Sequence, residues 1–82
     1  MAKLNVKALG LAFGVVWSAL ILITGITSML FDWGTLFVDV FSNIYFGYAA
    51  SILGSLIGGA WGFFDGFLCG VVVAWLYNKF SK

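Results

Sequence analysis

The stretch GSLIGGAWGFFDGFLCG, residues 54–70, sets Gly54, Gly58, Gly62, Gly66 and Gly70 at strict four-residue spacing, with Ala50 before the series and Ala74 after it. On a helix these seven small residues line one ridge. In water each Gly would cost about 1 kcal/mol relative to Ala, so the series makes sense only where close backbone approach returns packing energy. Small-xxx-small ridges do this between membrane helices, through dispersion contacts and weak Cα–H···O bonds.

The rest of the chain agrees with a lipid setting. Its 82 residues are 63% hydrophobic, 20% aromatic and 9% charged, with no His and no Pro, and the mean hydropathy is +1.13. A soluble fold of this size buries only about 60% of its unfolded surface, which would leave many Phe, Trp, Leu and Ile side chains in water. A first uncharged run, residues 8–31, would be roughly 36 Å long as a helix, enough for a hydrocarbon core of about 30 Å. It exceeds the apolar region of about 7–15 residues usual in a cleaved signal peptide. A second span is expected over residues 49–77, leaving a tail at 78–82. The expected fold is an all-α membrane protein, a single antiparallel two-helix transmembrane hairpin.

All four lysines sit at the ends, Lys3 and Lys7 before the first span and Lys79 and Lys82 after the second, and the connection has no Lys or Arg. By the positive-inside rule both termini face the cytoplasm. Within the connection, residues 32–48, Asp32-Trp33-Gly34 reads as a turn at the outer interface, with Trp33 in the aromatic belt. Leu36, Phe37, Val40, Phe41, Ile44, Tyr45 and Tyr48 then recur at three- and four-residue steps, the pattern of a short amphipathic helix lying in the interfacial plane. Val38 breaks that pattern; an irregular aromatic loop or an early start to the second span is the alternative. Trp75, Tyr77 and Lys79 form an anchor at the opposite boundary.

The first span offers its own small series, Gly10, Gly14 and Ser18, expected level with Ala74, Gly70 and Gly66. Four residues turn a helix by roughly 400°, so the ridge drifts about 40° per step. One straight partner would then leave Gly54 and Gly58 to meet another helix, from a second copy or from a different membrane protein. Asp65 sits mid-span, where a charged carboxylate costs at least about 2.5–3.5 kcal/mol. It lies about 20° and 60° from Gly58 and Gly62 on a helical projection, and is expected to face protein, with the Trp17 indole N–H and the Ser18 hydroxyl as donors. Either it is a hydrogen-bonding clamp between helices or it is an ion- or proton-accessible carboxylate.

Other chemistries are excluded by what is missing. With Asp32, Asp39 and Asp65 as the only carboxylates, a single Cys and no His, catalytic triads and metal-binding motifs cannot be assembled, so no enzyme, metal or cofactor is expected. Cys69, in an apolar run, reads as a buried core thiol. A net charge of +1 without a basic run gives no footprint for nucleic acid.

Two blocks carry a resemblance: residues 54–58 through Trp61-Gly62-Phe63-Phe64-Asp65-Gly66 to Ala74-Trp75-Leu76-Tyr77-Asn78-Lys79, and Leu4-Asn5-Val6-Lys7 with Gly10, Gly14 and Trp17. They resemble small two-span prokaryotic membrane proteins labelled bacteriophage holin. The resemblance covers both spans and not the connection. It implies residence in the prokaryotic inner membrane and timed oligomerisation into lesions that release a cell-wall hydrolase. A hairpin with glycines and a mid-membrane carboxylate also partly resembles the proton-carrying ring subunit of rotary ATP synthases, although there the two features lie on different helices and the loop is basic. A third reading is a small accessory subunit packed into a larger membrane complex. The lipid bilayer, a homo-oligomer or such a complex are thus the expected partners.

Overall fold

The structure is a computed structural model that describes residues 3–81; Lys82, one of the four terminal lysines, lies outside the described residues. Three helices follow in order: α1 Val6–Phe31, α2 Thr35–Ser42 and α3 Ile52–Phe80. With 26 and 29 residues, α1 and α3 are about 39 and 43 Å long, and they pack antiparallel in a body 47 × 19 × 18 Å across. Both are long and apolar enough to cross a membrane.

Local chemistry sets the helix ends. The Asn5 side chain accepts from the Ala8 N–H at 3.0 Å and the Ser51 hydroxyl from the Gly54 N–H at 2.9 Å, each satisfying an otherwise orphaned first-turn donor. Ser51 is extended, at φ −153°, so α3 starts three residues later than expected from hydropathy and continues three residues further. α1 stops at Asp32, which takes the left-handed conformation at φ 55° and returns its N–H to Ser28 O at 3.0 Å. The Asp32 carboxylate accepts from the Thr35 hydroxyl at 2.5 Å. Gly34 at φ 83° completes the reversal in a conformation that glycine adopts without a Cβ penalty.

The segment after this turn departs from expectation. The helix is only eight residues long, and it folds back along α1 instead of lying apart from the hairpin. Gly34 packs beside Thr24, Phe41 packs edge-on to Trp17 with ring centroids 5.8 Å apart, and Tyr45 reaches Trp17 itself, so the chain descends about two turns of α1. Residues 43–51 then climb back without regular structure. The buried side keeps only part of the expected stripe: Phe37 and Phe41 pack half-buried on the core, but Val38, the residue that broke the pattern, is 3% exposed, while Leu36, Val40 and Ile44 are 77%, 51% and 64% exposed. Docking has selected the side that faces Ile21, Tyr45 and Tyr48, which with Val38 form the core cluster.

Register along the α1–α3 seam is fixed at several depths. Near the termini Leu4 N–H donates to Asn78 Oδ1 at 2.8 Å and Asn78 Nδ2 returns a bond to Leu4 O at 2.9 Å. Gly70 meets Gly10 and Gly66 meets Gly14. Further along, the Ser18 hydroxyl donates to Gly59 O at 2.8 Å and Ser55 packs on Gly25. This pairing is one helical turn away from the expected level of Gly10 with Ala74, Gly14 with Gly70 and Ser18 with Gly66. Asn78 clamps Leu4 at one end, and Val71, Phe67 and Phe63 fill the notches at Gly10 and Gly14, so the turn-shifted register is the one that packs.

Candidate functional site

The glycine ridge is consumed inside the chain. Gly54, Gly58, Gly62, Gly66, Gly70 and Ala74 are all buried, but under different covers. A Cβ built on Gly70 would lie 2.7 Å from Leu9 O, and one on Gly66 2.6 Å from Phe13 O, so there the two backbones are in contact. At Gly62 the cover is Ile21 and Ser18. At Gly58 it is the Tyr48 ring, and at Gly54 it is Ala49. The outer half of the ridge therefore does turn away from α1, as the 40° drift requires, but residues 48–49 of the same chain meet it. The expectation that this half meets another helix is corrected accordingly. Ala50 is exposed and lies before the start of α3, so it is not part of the ridge.

The same re-entrant segment builds the polar centre of the molecule. The Trp17 indole N–H donates to the Tyr45 hydroxyl at 2.9 Å, and that hydroxyl donates to Asp65 Oδ2 at 2.5 Å. Accepting from one partner and donating to the other leaves the phenol little rotational freedom. The Tyr45 ring stacks on Trp61, with centroids 6.2 Å apart and planes within 1°, and the Trp61 indole N–H donates to Phe46 O at 2.9 Å. The Tyr48 hydroxyl donates to Ile21 O at 2.7 Å, pinning the segment to α1. Burial pushes the Tyr45 phenol pKa upward, as does its bond to the Asp65 carboxylate, while the Trp17 bond opposes the rise.

The expected donors to Asp65 divide. Trp17 connects to it through Tyr45, whereas Ser18 is committed to Gly59 O and does not serve the carboxylate. Asp65 also does not turn into the seam. It is exposed in the isolated chain, at the edge of a groove of about 580 Å³ between α1 and α3 that is lined by Leu9, Phe13, Val16 and Trp17 from one helix and Asp65 and Cys69 from the other. The reason is angular: the ridge from Gly62 to Gly70 is centred on α1, and a side chain about 60° from Gly62 falls on the seam's rim. Cys69, one turn along, is exposed as well, which corrects the expected buried thiol.

The remaining expected residues lie at the ends. Trp33 is 67% exposed just beyond α1. Trp75 and Tyr77 are exposed near the other end, where Lys79 Nζ sits 5.2 Å from the Trp75 ring centroid, a contact of the cation–π kind. Among the described residues no three His, Cys, Asp or Glu side chains are grouped as a metal site requires. Compared with protein-family models, curated proteins and solved structures, the chain matches none.

Proposed function

We propose that this chain is an integral membrane protein of holin-like, two-span build, with both termini on the cytoplasmic side of a prokaryotic inner membrane. In this reading it acts by lateral association through its outer apolar faces. The observation that carries the proposal is the internal commitment of the small-residue ridge and of most of the polar side chains. The small-residue ridge is buried, and the hydroxyls of Ser18, Thr24, Thr27, Ser28 and Thr35 bond within the chain. One closed hairpin has no lumen, and its lipid-facing polar content is sparse. What remains outward is a girdle of large apolar side chains, among them Val16, Leu20, Ile23, Leu53, Leu56 and Phe64, together with Asp65. Such a body changes a membrane through what it meets in the bilayer plane.

The experiment is the assembly state in lipid nanodiscs, read by native mass spectrometry, together with terminal reporter fusions for topology. A homo-oligomer that leaks a vesicle-trapped dye supports holin-like permeabilisation. Stoichiometric co-purification with larger membrane subunits supports the accessory role. A strictly monomeric chain that neither leaks nor co-purifies rejects lateral association as its mode of action, and termini on opposite sides reject the hairpin in the membrane.

A further inference from the structure

We propose that the groove between α1 and α3 centred on Asp65 is a binding site for a lipophilic organic cation entering from the bilayer. The inference rests on membrane insertion, but not on any association with other chains.

The argument begins with the carboxylate. Tyr45 serves Oδ2, and among the described residues Oδ1 has no hydrogen-bond partner, so one oxygen of an exposed mid-span carboxylate remains for a guest. Intramembrane carboxylates pair with cations, with one another or with water-filled cavities. The chain's own cations are too far along the spans: Lys79 is 14 residues away on α3, about 21 Å. Lys7 lies eight residues below the level of Asp65 on α1, about 12 Å along the axis. A second copy carries its lysines at the same depths, so dimerisation does not bring one to the carboxylate. For an ionised Asp65, the compensating charge comes from outside the chain.

The walls then select the kind of cation. A bare inorganic ion asks for several oxygen ligands, and Asp65 is the one carboxylate lining the groove. Leu9, Phe13 and Val16 instead offer apolar contact, and Phe13 and Trp17 bring to the lining aromatic rings of the kind that attract cations. Trp17 is held in place by its bond to Tyr45. The volume, about 580 Å³, falls in the range of roughly 300–1,000 Å³ typical of pockets for drug-sized ligands. A mainly apolar pocket with one oriented charge is the arrangement that binds a bulky cation and rejects its neutral or anionic counterpart.

The test uses the full chain in phosphatidylcholine nanodiscs, with tetraphenylphosphonium as probe and tetraphenylborate, of the same shape and opposite charge, as control. Equilibrium dialysis should show saturable phosphonium binding near one per chain and only unsaturable partition of the borate. Asp65→Asn should weaken phosphonium binding by about tenfold or more, the loss of one poorly screened charge pair, while its far-UV circular dichroism and elution position stay unchanged. Asn78→Ala, which breaks only the bonds to Leu4 at the far end of the seam, keeps the carboxylate and should retain saturable binding. Phosphonium binding by Asp65→Asn within about twofold of wild type, or saturable borate binding, would overturn the site. So would Asp65-dependent capture of a membrane protein in the groove that blocks the probe. A chain that inserts but binds no phosphonium removes this site alone, whereas a chain released from membranes by a carbonate wash removes the membrane reading along with it.

Discussion

Adding one methyl group at Gly66 should loosen the hairpin, and adding the same group at Gly59 should not. A Cβ on Gly66 would stand 2.6 Å from Phe13 O, 2.9 Å from Trp17 Cβ and 3.0 Å from Gly14 Cα. Two of those atoms are backbone, so no rotamer change can make room and α1 must move away from α3 by roughly half an ångström or more. A gap of about 0.5–1 Å already forfeits a quarter to a half of each dispersion contact it opens, and overpacking of this kind costs about 1–3 kcal/mol. Against it stands the helix preference of Ala over Gly, at most about 1 kcal/mol, so Gly66→Ala should lose up to about 2 kcal/mol net. At Gly59 the nearest atoms are Leu22 Cδ1 at 3.4 Å, Leu22 Cβ at 3.5 Å and Ser18 Oγ at 3.5 Å, ordinary contact distances. Gly59→Ala should therefore be neutral or stabilising by a fraction of that propensity gain. Reversible unfolding in mixed micelles, titrating a denaturing detergent into a mild one and following circular dichroism, measures both. Equal stability of the two variants, or greater damage from Gly59→Ala, would refute the seam as drawn and with it the pairing of Gly66 with Gly14.

Further outcomes follow from the re-entrant segment and the ends. Tyr45→Phe preserves ring packing on Trp61 and Phe41 but removes the hydroxyl between Trp17 and Asp65, and should cost about 0.6–2 kcal/mol; in a double-mutant cycle with Trp17→Phe the losses should be clearly less than additive. Asn78→Ala breaks both bonds to Leu4, and should speed hydrogen exchange at the Leu4 amide severalfold with little change in global stability, since these bonds are exposed. Burial pushes the Tyr48 phenol above its ordinary pKa of 10.0, and its proton is needed for the bond to Ile21 O. With the folded value raised, this contribution is fully present below pH 10 and is lost as pH rises through the folded pKa. Unfolding measured from pH 7 to 11.5 should show flat stability followed by a decline that Tyr48→Phe reduces, the remainder belonging to Tyr45, whose phenol is raised as well.

Much of the fold was legible because hydropathy and glycine spacing are local signals. Two apolar runs of sufficient length gave the two long helices, and the Asp32-Trp33-Gly34 turn sits where turn chemistry placed it. The ridge was legible too, and so was its drift away from α1. What fills the divergent half was not, because Tyr48 and Ala49 reach Gly58 and Gly54 from a stretch with no regular period. Tyr45 was assigned to an apolar face on the strength of its spacing, yet its hydroxyl is what connects Trp17 to Asp65. The register was misjudged by one turn because level matching assumed equal overhangs. Asn78 and the Phe63 and Phe67 rings decide it by contacts between residues far apart in the sequence.

The re-entrant segment also changes what Asp65 means. Without it, a lone carboxylate on the rim of a two-helix seam would have only lipid beside it, and insertion would favour any substitution that removed the charge. With it, Tyr45 supplies a hydrogen bond, Trp61 stacks on the phenol, and Trp17 orients the hydroxyl, so aromatic side chains from three parts of the chain meet at the phenol that serves one carboxylate oxygen. If the carboxylate were only a clamp between α1 and α3, its partner would be expected on α1, and Ser18 lies one residue beyond Trp17 with a hydroxyl available. That hydroxyl is instead spent on Gly59 O, while α1 and α3 are already held together by backbone contact at Gly66 and Gly70. The seam is held by backbone contact as well as by the Trp17–Tyr45–Asp65 chain, and the aromatic support keeps the carboxylate oriented at the open edge of the groove.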